Sequence, residues 1–302
     1  MSIVGLDEVT LTTEDLGVAR RFLEDFGLAL ASESEHELVF VARDRTGLRI
    51  RRVGDPSLPP GPVEGPNIRQ AVWGVGDAAA LERIAAELGK DREVRVSGGL
   101  VSSVDDDGLA IAFRLTQRVP LTNELPAVNV PGLPPQRKVN QTLDFDAPIR
   151  PNTFSHLVMY TPDLARIERF YVERLGFRIT DRFTGMGVFM RAEGNPDHHQ
   201  LFFIQRPPGK GLNHIAFHVR DMNEVMLAGK RLHAKGWASS WGPGRHIYGA
   251  NVFWYFKSPF GGNIEYDADM DVVDDDWKPR ETAPGPDTAA IWSTSYPPSA
   301  GH

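Results

Sequence analysis

The sequence predicts an α+β protein of two domains, each built from two paired β-α-β-β-β modules that curl into an incomplete barrel. Three observations carry this. A unit of strand, turn, amphipathic helix and further strands recurs along the chain, and such repeats outrank local structure as evidence. An Asp stands at the start of each expected helix, where its carboxylate accepts from the exposed N–H groups of the first turn. The strand-like runs alternate in polarity, so one face of each sheet packs on helices and the other lines a cavity.

The elements follow in order. VGLDEVTLTTEDLGVARRFLEDFGLAL in the first half matches FSHLVMYTPDLARIERFYVERLGFRI in the second. Both read strand, Thr-x-Asp-Leu turn, helix and second strand. Leu16, Ala19, Phe22 and Leu23 recur at helical spacing in the first, and Leu164, Ile167, Phe170, Tyr171 and Leu175 in the second. IRQAVWGVGDAAALERIAAELG likewise matches LNHIAFHVRDMNEVMLAGKRLHAKG, with Asp77 and Asp221 as caps. These units close on DDDGLAIAFRL and SPFGGNIEYDA, where Pro259, Gly261 and Gly262 read as hairpin-turn residues. The expected boundaries are residues 1–116 for the first module pair, 117–151 for a Pro- and Asn-rich linker, 152–273 for the second pair and 274–302 for an acidic, Pro-rich tail. That tail reads as a loosely ordered arm, or one laid over a neighbouring subunit of a homo-oligomer.

A chain of 302 residues has room for two such domains. With 41% hydrophobic and 24% charged residues it is globular in composition, and a net charge of −7 argues against nucleic-acid and anionic-membrane partners. No apolar run approaches a membrane span. The N-terminus lacks the pattern of a secretory signal, so a cytoplasmic protein is expected. There is no cysteine, which excludes disulfides and thiolate metal sites.

The chemistry concentrates in the second half. His156, His214 and Glu265 each lie in a short strand-like run: FSHLVMY, LNHIAFHV and GGNIEYD. Alternation puts His214, Ala216 and His218 on one face of their strand, and Asn263 and Glu265 on one face of theirs. Two imidazoles and one carboxylate form the facial ligand set of a non-haem Fe(II) site with open positions. A lone His in a strand is more often structural, but a buried, unpaired carboxylate calls for a cation. The first half carries Glu8, Gln70 and Ala112 at the matching positions, which reads as an emptied copy.

These residues resemble the type I extradiol ring-cleaving dioxygenases of the vicinal oxygen chelate superfamily, over both halves and most strongly from Phe154 to Asp271. The resemblance implies a glyoxalase-like scaffold with Fe(II), or Mn(II), held by His156, His214 and Glu265. It implies that His199, second of the His198-His199 pair, is the catalytic acid beside dioxygen, and that His246 in GRH and Tyr255 in VFWYF hydrogen-bond the substrate oxygens. The implied reaction cleaves a catechol-type ring next to the diol with O2, as in bacterial aromatic degradation. One position departs: many members carry Asp three residues after the GRH histidine, and this chain has Gly249. That puts the polar network around Tyr255 in question.

Among neighbouring residues, His198 is expected to face solvent or cap a strand, His233 to lie on a helix surface and His218 to be a candidate for the cavity wall. Phe189, Phe203 and Phe253 are candidates for the apolar wall, and Trp254, opposite Tyr255, is expected in the core. With no Arg or Lys pair for a substrate carboxylate, an uncharged substituted catechol or a hydroxyquinol-like ring is the expected substrate. A glyoxalase-like isomerase or lyase, using Zn, Ni or Mn, and a non-catalytic aromatic-ligand binder are the alternatives, separated from a dioxygenase by oxygen uptake over a catechol.

Overall fold

The computed structural model describes residues 2–124, 127–285 and 287–295. The first module is β1 (Ile3–Thr13), α1 (Leu16–Phe26), β2 (Ala29–Glu33), β3 (Glu37–Val41) and β4 (Gly47–Arg52). The second is β5 (Ile68–Val75), α2 (Ala78–Leu88), β6 (Arg95–Ser97), β7 (Leu100–Val104) and β8 (Ala110–Leu115). The third runs β9 (Thr153–Thr161), α3 (Leu164–Arg169), β10 (Arg178–Phe183), β11 (Gly187–Arg191) and β12 (Leu201–Gln205). The fourth runs β13 (Gly211–His218), α4 (Met222–Ala234), β14 (Ser239–His246), β15 (Val252–Lys257) and β16 (Asn263–Ala268). Two further strands, β17 (Arg280–Thr282) and β18 (Ala290–Ser293), lie in the tail.

All four helices start as the sequence requires. Asp15, Asp77, Asp163 and Asp221 are extended residues whose carboxylates accept from N–H groups of the first turn. α1 ends on Gly27, whose φ of 98° is the left-handed conformation of a helix C-cap. α3 continues into a π-helical turn over Phe170–Arg174, where one uniform helix is expected from the spacing.

The strands form two sheets, of order β2-β3-β4-β1-β5-β8-β7-β6 and β17-β10-β11-β12-β9-β13-β16-β15-β14-β18. In each, the first strands of the two modules meet at the centre, β1 on β5 and β9 on β13, both antiparallel. Neither sheet closes on itself in this strand order. The helix-bearing outer faces share one core that runs through both halves. At its middle Phe26 stacks on Tyr266 with ring centroids 3.9 Å apart, and the Tyr266 hydroxyl donates to the Phe26 carbonyl at 2.8 Å. Such burial is worth about 1.5–3 kcal/mol per large apolar side chain. Between the sheets, the described residues of 117–151 carry neither strand nor helix.

The tail is not a loose arm over its described length. β17 pairs with β10, Arg280 opposite Asp181, and β18 pairs with β14, Arg245 opposite Trp292. An open sheet leaves unpaired N–H and C=O groups at both edges, and the tail satisfies both from within the same chain. The two pairings thus place one strand of the tail at each edge of the same sheet. Residues 296–302 lie outside the described residues. No helix among the described residues is long and apolar enough to cross a membrane.

Candidate metal centre and cavity

His156, His214 and Glu265 come together on the inner face of the second sheet, all buried. His156 Nε2 lies 3.1 Å and His214 Nε2 3.3 Å from Glu265 Oε2, and the two nitrogens are 3.2 Å apart. A local device sets this geometry. On β9, Ser155 and His156 together oppose Ala216, and on β13, Leu212 and His214 face the consecutive residues Met159 and Val158, leaving Asn213 extra. Both are β-bulges, which re-aim side chains. Each bulge thus pairs a small polar residue with the histidine that follows it.

Those polar residues fix the tautomers. The Ser155 hydroxyl donates to Asp267 Oδ2 at 2.8 Å, so its oxygen is left to accept from His156 Nδ1 at 2.9 Å. Asn213 Oδ1 accepts from His214 Nδ1 at 2.6 Å while its amide donates to Tyr160 at 2.6 Å. With both Nδ1 atoms protonated, both Nε2 atoms are lone pairs. Three acceptors then face one another within 3.3 Å with no proton among them. That donor set fits a divalent cation and is otherwise self-repelling.

Burial raises the Glu265 carboxyl, and positive charge and hydrogen bonds from the imidazoles lower it below its usual range; a dication in place of those protons would act in the same direction. Burial lowers His214, favouring the neutral ring that a metal needs. Asn251, fully buried, donates to Glu265 Oε1 at 3.4 Å. His218 does not line the cavity. Its Nδ1 lies 2.9 Å from Asp267, and although burial lowers it, Asp267 and Asp197 raise it well above its ordinary value.

The triad opens into a cavity of about 480 Å³, within the range of small-molecule sites. Its wall is an apolar cluster of Val158, Phe183, Phe189, Phe202 and Tyr248, with Phe189 and Phe202 stacked at 3.8 Å. Of the residues expected there only Phe189 takes part. Phe203 belongs to the core, Phe253 stacks behind His246 at 4.0 Å, and Trp254 packs outward on Gly229 of α4, where a Cβ would meet its ring at 2.1 Å. Among the described residues, Lys257 is the one Lys or Arg on the wall.

His199, His246 and Tyr255 all line this cavity. The ring of His199 lies 4.4 Å from that of His156, centroid to centroid, and burial followed by the neighbouring imidazoles pushes it well below its ordinary value. His246 Nδ1 donates to the Ala289 carbonyl at 3.0 Å, so its Nε2 accepts the Tyr255 hydroxyl proton at 2.9 Å. Burial pushes His246 down to about 4, and burial with the Glu265 charge raises Tyr255 well above its ordinary value. The polar contact around Tyr255 is therefore made without an Asp at position 249.

His198 corrects an expectation. It is fully buried, its Nε2 donates to Asp181 at 2.8 Å, and its Nδ1 meets His199 Nδ1 at 3.0 Å. The tail explains this, because Trp277 and Arg280 cover a position that would otherwise face water. His233 is exposed, as its helical surroundings imply. In the first half, Glu8 is held by Arg49 at 2.8 Å, and Gln70 and Ala112 occupy the register positions equivalent to His214 and Glu265. Ser155, Asn213, Asp181 and Asn251 are among the site residues the sequence reading missed, with Val158, Phe183, Phe202 and Tyr248 of the wall. The only signal for the first two was a small polar residue directly before each ligand histidine.

Comparison with known proteins agrees with the fold. Residues 153–266 match the profile of the Glyoxalase/Bleomycin resistance protein/Dioxygenase superfamily. The chain is 29% identical to Metapyrocatechase 2 of Cupriavidus necator over 90% of its own length and 83% of that protein. It is 25% identical to an iron-dependent extradiol dioxygenase of Rhodococcus jostii over 98% of each. Among solved structures, a Mn(II)-bound glyoxalase from Novosphingobium aromaticivorans superposes with a TM-score of 0.79 at 21% identity, covering 98% of this chain and 92% of that one, a likeness of fold. The segment that carries the triad, residues 153–266, is a domain of the Glyoxalase/Bleomycin resistance protein/Dioxygenase superfamily.

Proposed function

We propose that this chain is an extradiol dioxygenase that cleaves an uncharged, substituted catechol next to its diol with O2. The observation that carries the reading is the convergence of three proton-free acceptors at the floor of an apolar cavity whose wall also holds His199, His246 and Tyr255. The names of the full-length relatives point the same way. His156, His214 and Glu265 would hold the metal, Fe(II) by the ligand set, with Mn(II) also compatible with imidazole and carboxylate donors. A bound dication supplies a Lewis acid that lowers the pKa of a coordinated hydroxyl and links the diol electronically to O2.

The protein's own groups supply the rest. The aromatic wall holds the ring and excludes water, which strengthens every polar contact inside. Tyr255 gives its proton to His246, so its oxygen retains lone pairs for a substrate hydroxyl. His199, buried beside His156, would take a proton from the substrate and return it as the O–O bond breaks. The reading includes a homo-oligomer, because Ile291 and Trp292 leave apolar surface exposed on the outer edge strand β18. Size-exclusion chromatography with light scattering checks that; a monomer contradicts it.

The test of function is anaerobic loading with Fe(II) or Mn(II), followed by O2 uptake over a panel of catechols and trihydroxybenzenes. One O2 consumed per ring, with a yellow ring-opened product, supports the reading. Stoichiometric metal with no O2 consumption contradicts it and leaves an isomerase, a lyase or a binder.

A further inference from the structure

The tail that pairs with both edges of the second sheet reaches the two cavity histidines by two separate hydrogen-bond chains. The first starts at Arg280 on β17. Its backbone N–H donates to Asp181 Oδ1 at 2.7 Å and its guanidinium grips both carboxylate oxygens. Asp181 is buried on β10; burial would raise its carboxyl, and the contacts from His198 and Arg280 hold it below its ordinary value instead. An ionised carboxylate only accepts, so His198 Nε2 carries the proton between them, at 2.8 Å. With its proton on Nε2, a neutral His198 ring presents a lone pair at Nδ1. That lone pair faces His199 Nδ1 at 3.0 Å, so His199 donates from Nδ1 and keeps its Nε2 lone pair for the cavity.

The second chain is shorter. The Ala289 carbonyl, seven residues after Thr282, accepts from His246 Nδ1 and leaves Nε2 to take the Tyr255 proton. The tail is pinned for both tasks. The Tyr248 hydroxyl donates to Thr282 Oγ1 at 2.6 Å, the Trp277 indole donates to the Thr180 carbonyl at 2.8 Å, and Arg280 lies over the rings of Tyr248 and Trp277, 4.9 Å from each centroid. Gly249 passes so close to the histidine pair that a Cβ there would sit 3.2 Å from His198 Nδ1 and 3.3 Å from His199 Cε1.

We infer that Asp181 and His198 are positioning residues for His199, and that docking of the C-terminal tail, through Arg280 and the Ala289 carbonyl, sets the tautomers of both cavity histidines. The role given to His199 rests on the dioxygenase reading; the tautomer assignment does not. A carboxylate that fixes an imidazole tautomer is a known source of rate. Loss of such a supporting contact typically costs about 10–100-fold.

The test uses the full chain with ¹⁵N-labelled histidine, metal-free and loaded with diamagnetic Zn(II), as wild type, Asp181→Asn and Arg280→Met. Wild type is expected to show His199 protonated at Nδ1 only. Asp181→Asn, whose amide can turn its N–H toward His198 Nε2, is expected to invert the chain and move the His199 proton to Nε2. With Fe(II), kcat for ring cleavage should fall about 10–100-fold while the catechol KM and iron content hold. Arg280→Met should shift the same ¹⁵N signals while the variant stays folded by circular dichroism. A wild-type His199 protonated at Nε2, or tautomers and kcat unmoved in both variants, would overturn the inference. A wild type that shows the expected tautomers but consumes no O2 would sink the dioxygenase reading and leave the positioning chain standing.

Discussion

Asn213 accepts the Nδ1 proton of His214 at 2.6 Å from the position directly before it on the same strand. In a regular strand neighbouring side chains point to opposite faces, so this contact exists only because β13 bulges there. Ser155 repeats the arrangement for His156 on β9. Each ligand histidine thus brings its own tautomer control from its own strand.

Removing that control should weaken the metal without unfolding the sheet. Asn213→Leu and Ser155→Ala are each expected to lower divalent metal affinity about 10–100-fold, read by competition with a calibrated chelator. Unchanged affinity in both would mean that the bulge residues do not orient the ligands.

His199→Phe should keep the metal and lose rate. The phenyl ring fits the space beside His156 and Phe189 but moves no proton. A fall of about 10²–10⁴-fold in ring cleavage with full metal content is expected, from metal analysis and O2 uptake on the same sample. Normal turnover would remove His199 from the chemistry.

The repeat was legible because its signals are local. The four Asp caps, the helical spacing of the apolar residues and the period of two in the strands each speak within one module. The triad was legible for the same reason, since His214 and Glu265 follow strand alternation. The bulges were not: strict alternation places Ser155 and His156 on opposite faces, and only the pairing with β13 shows otherwise. His198 was misread because its burial depends on residues about eighty positions later, Trp277 and Arg280. The tail itself was misread from its acidic and Pro-rich composition, which says nothing of two sheet edges waiting to be paired.

Gly249 should resist substitution. Its φ of 79° is a left-handed conformation, and the space for a Cβ is taken by the rings of His198 and His199. Gly249→Ala is expected to cost about 1–3 kcal/mol of stability in a urea melt, and to slow turnover by pushing the histidine pair apart. A variant as stable and as fast as wild type would mean the loop relaxes freely.

Asp105 makes a pH prediction away from the metal. It is buried between the two halves, accepting from the N–H groups of Asp107 and Leu109 and from the Tyr171 hydroxyl at 3.1 Å. Burial, opposed by these hydrogen bonds, raises its carboxyl from 3.8 to about 7. The unfolded chain then binds fewer protons here than the folded one between these values. The Asp105 contribution to stability is full below pH 3.8, declines as pH rises to about 7 and is flat above. Asp105→Asn, which keeps the acceptor for the two N–H groups, should remove that decline. Its stability relative to wild type should rise across the window by an amount on the order of a few kcal/mol, in urea melts at stepped pH. A relative stability that falls over the same window contradicts the assignment.

The central claim is that His156, His214 and Glu265 hold a metal that turns this cavity into a ring-cleaving site. The most direct measurement is O2 uptake by anaerobically Fe(II)-loaded protein on a substituted catechol, with His214→Ala beside it. The account predicts one O2 consumed per yellow product for the wild type, and neither bound iron nor O2 uptake for the variant. Iron retained by His214→Ala, or a fully iron-loaded wild type that consumes no O2 across the catechol panel, would contradict it.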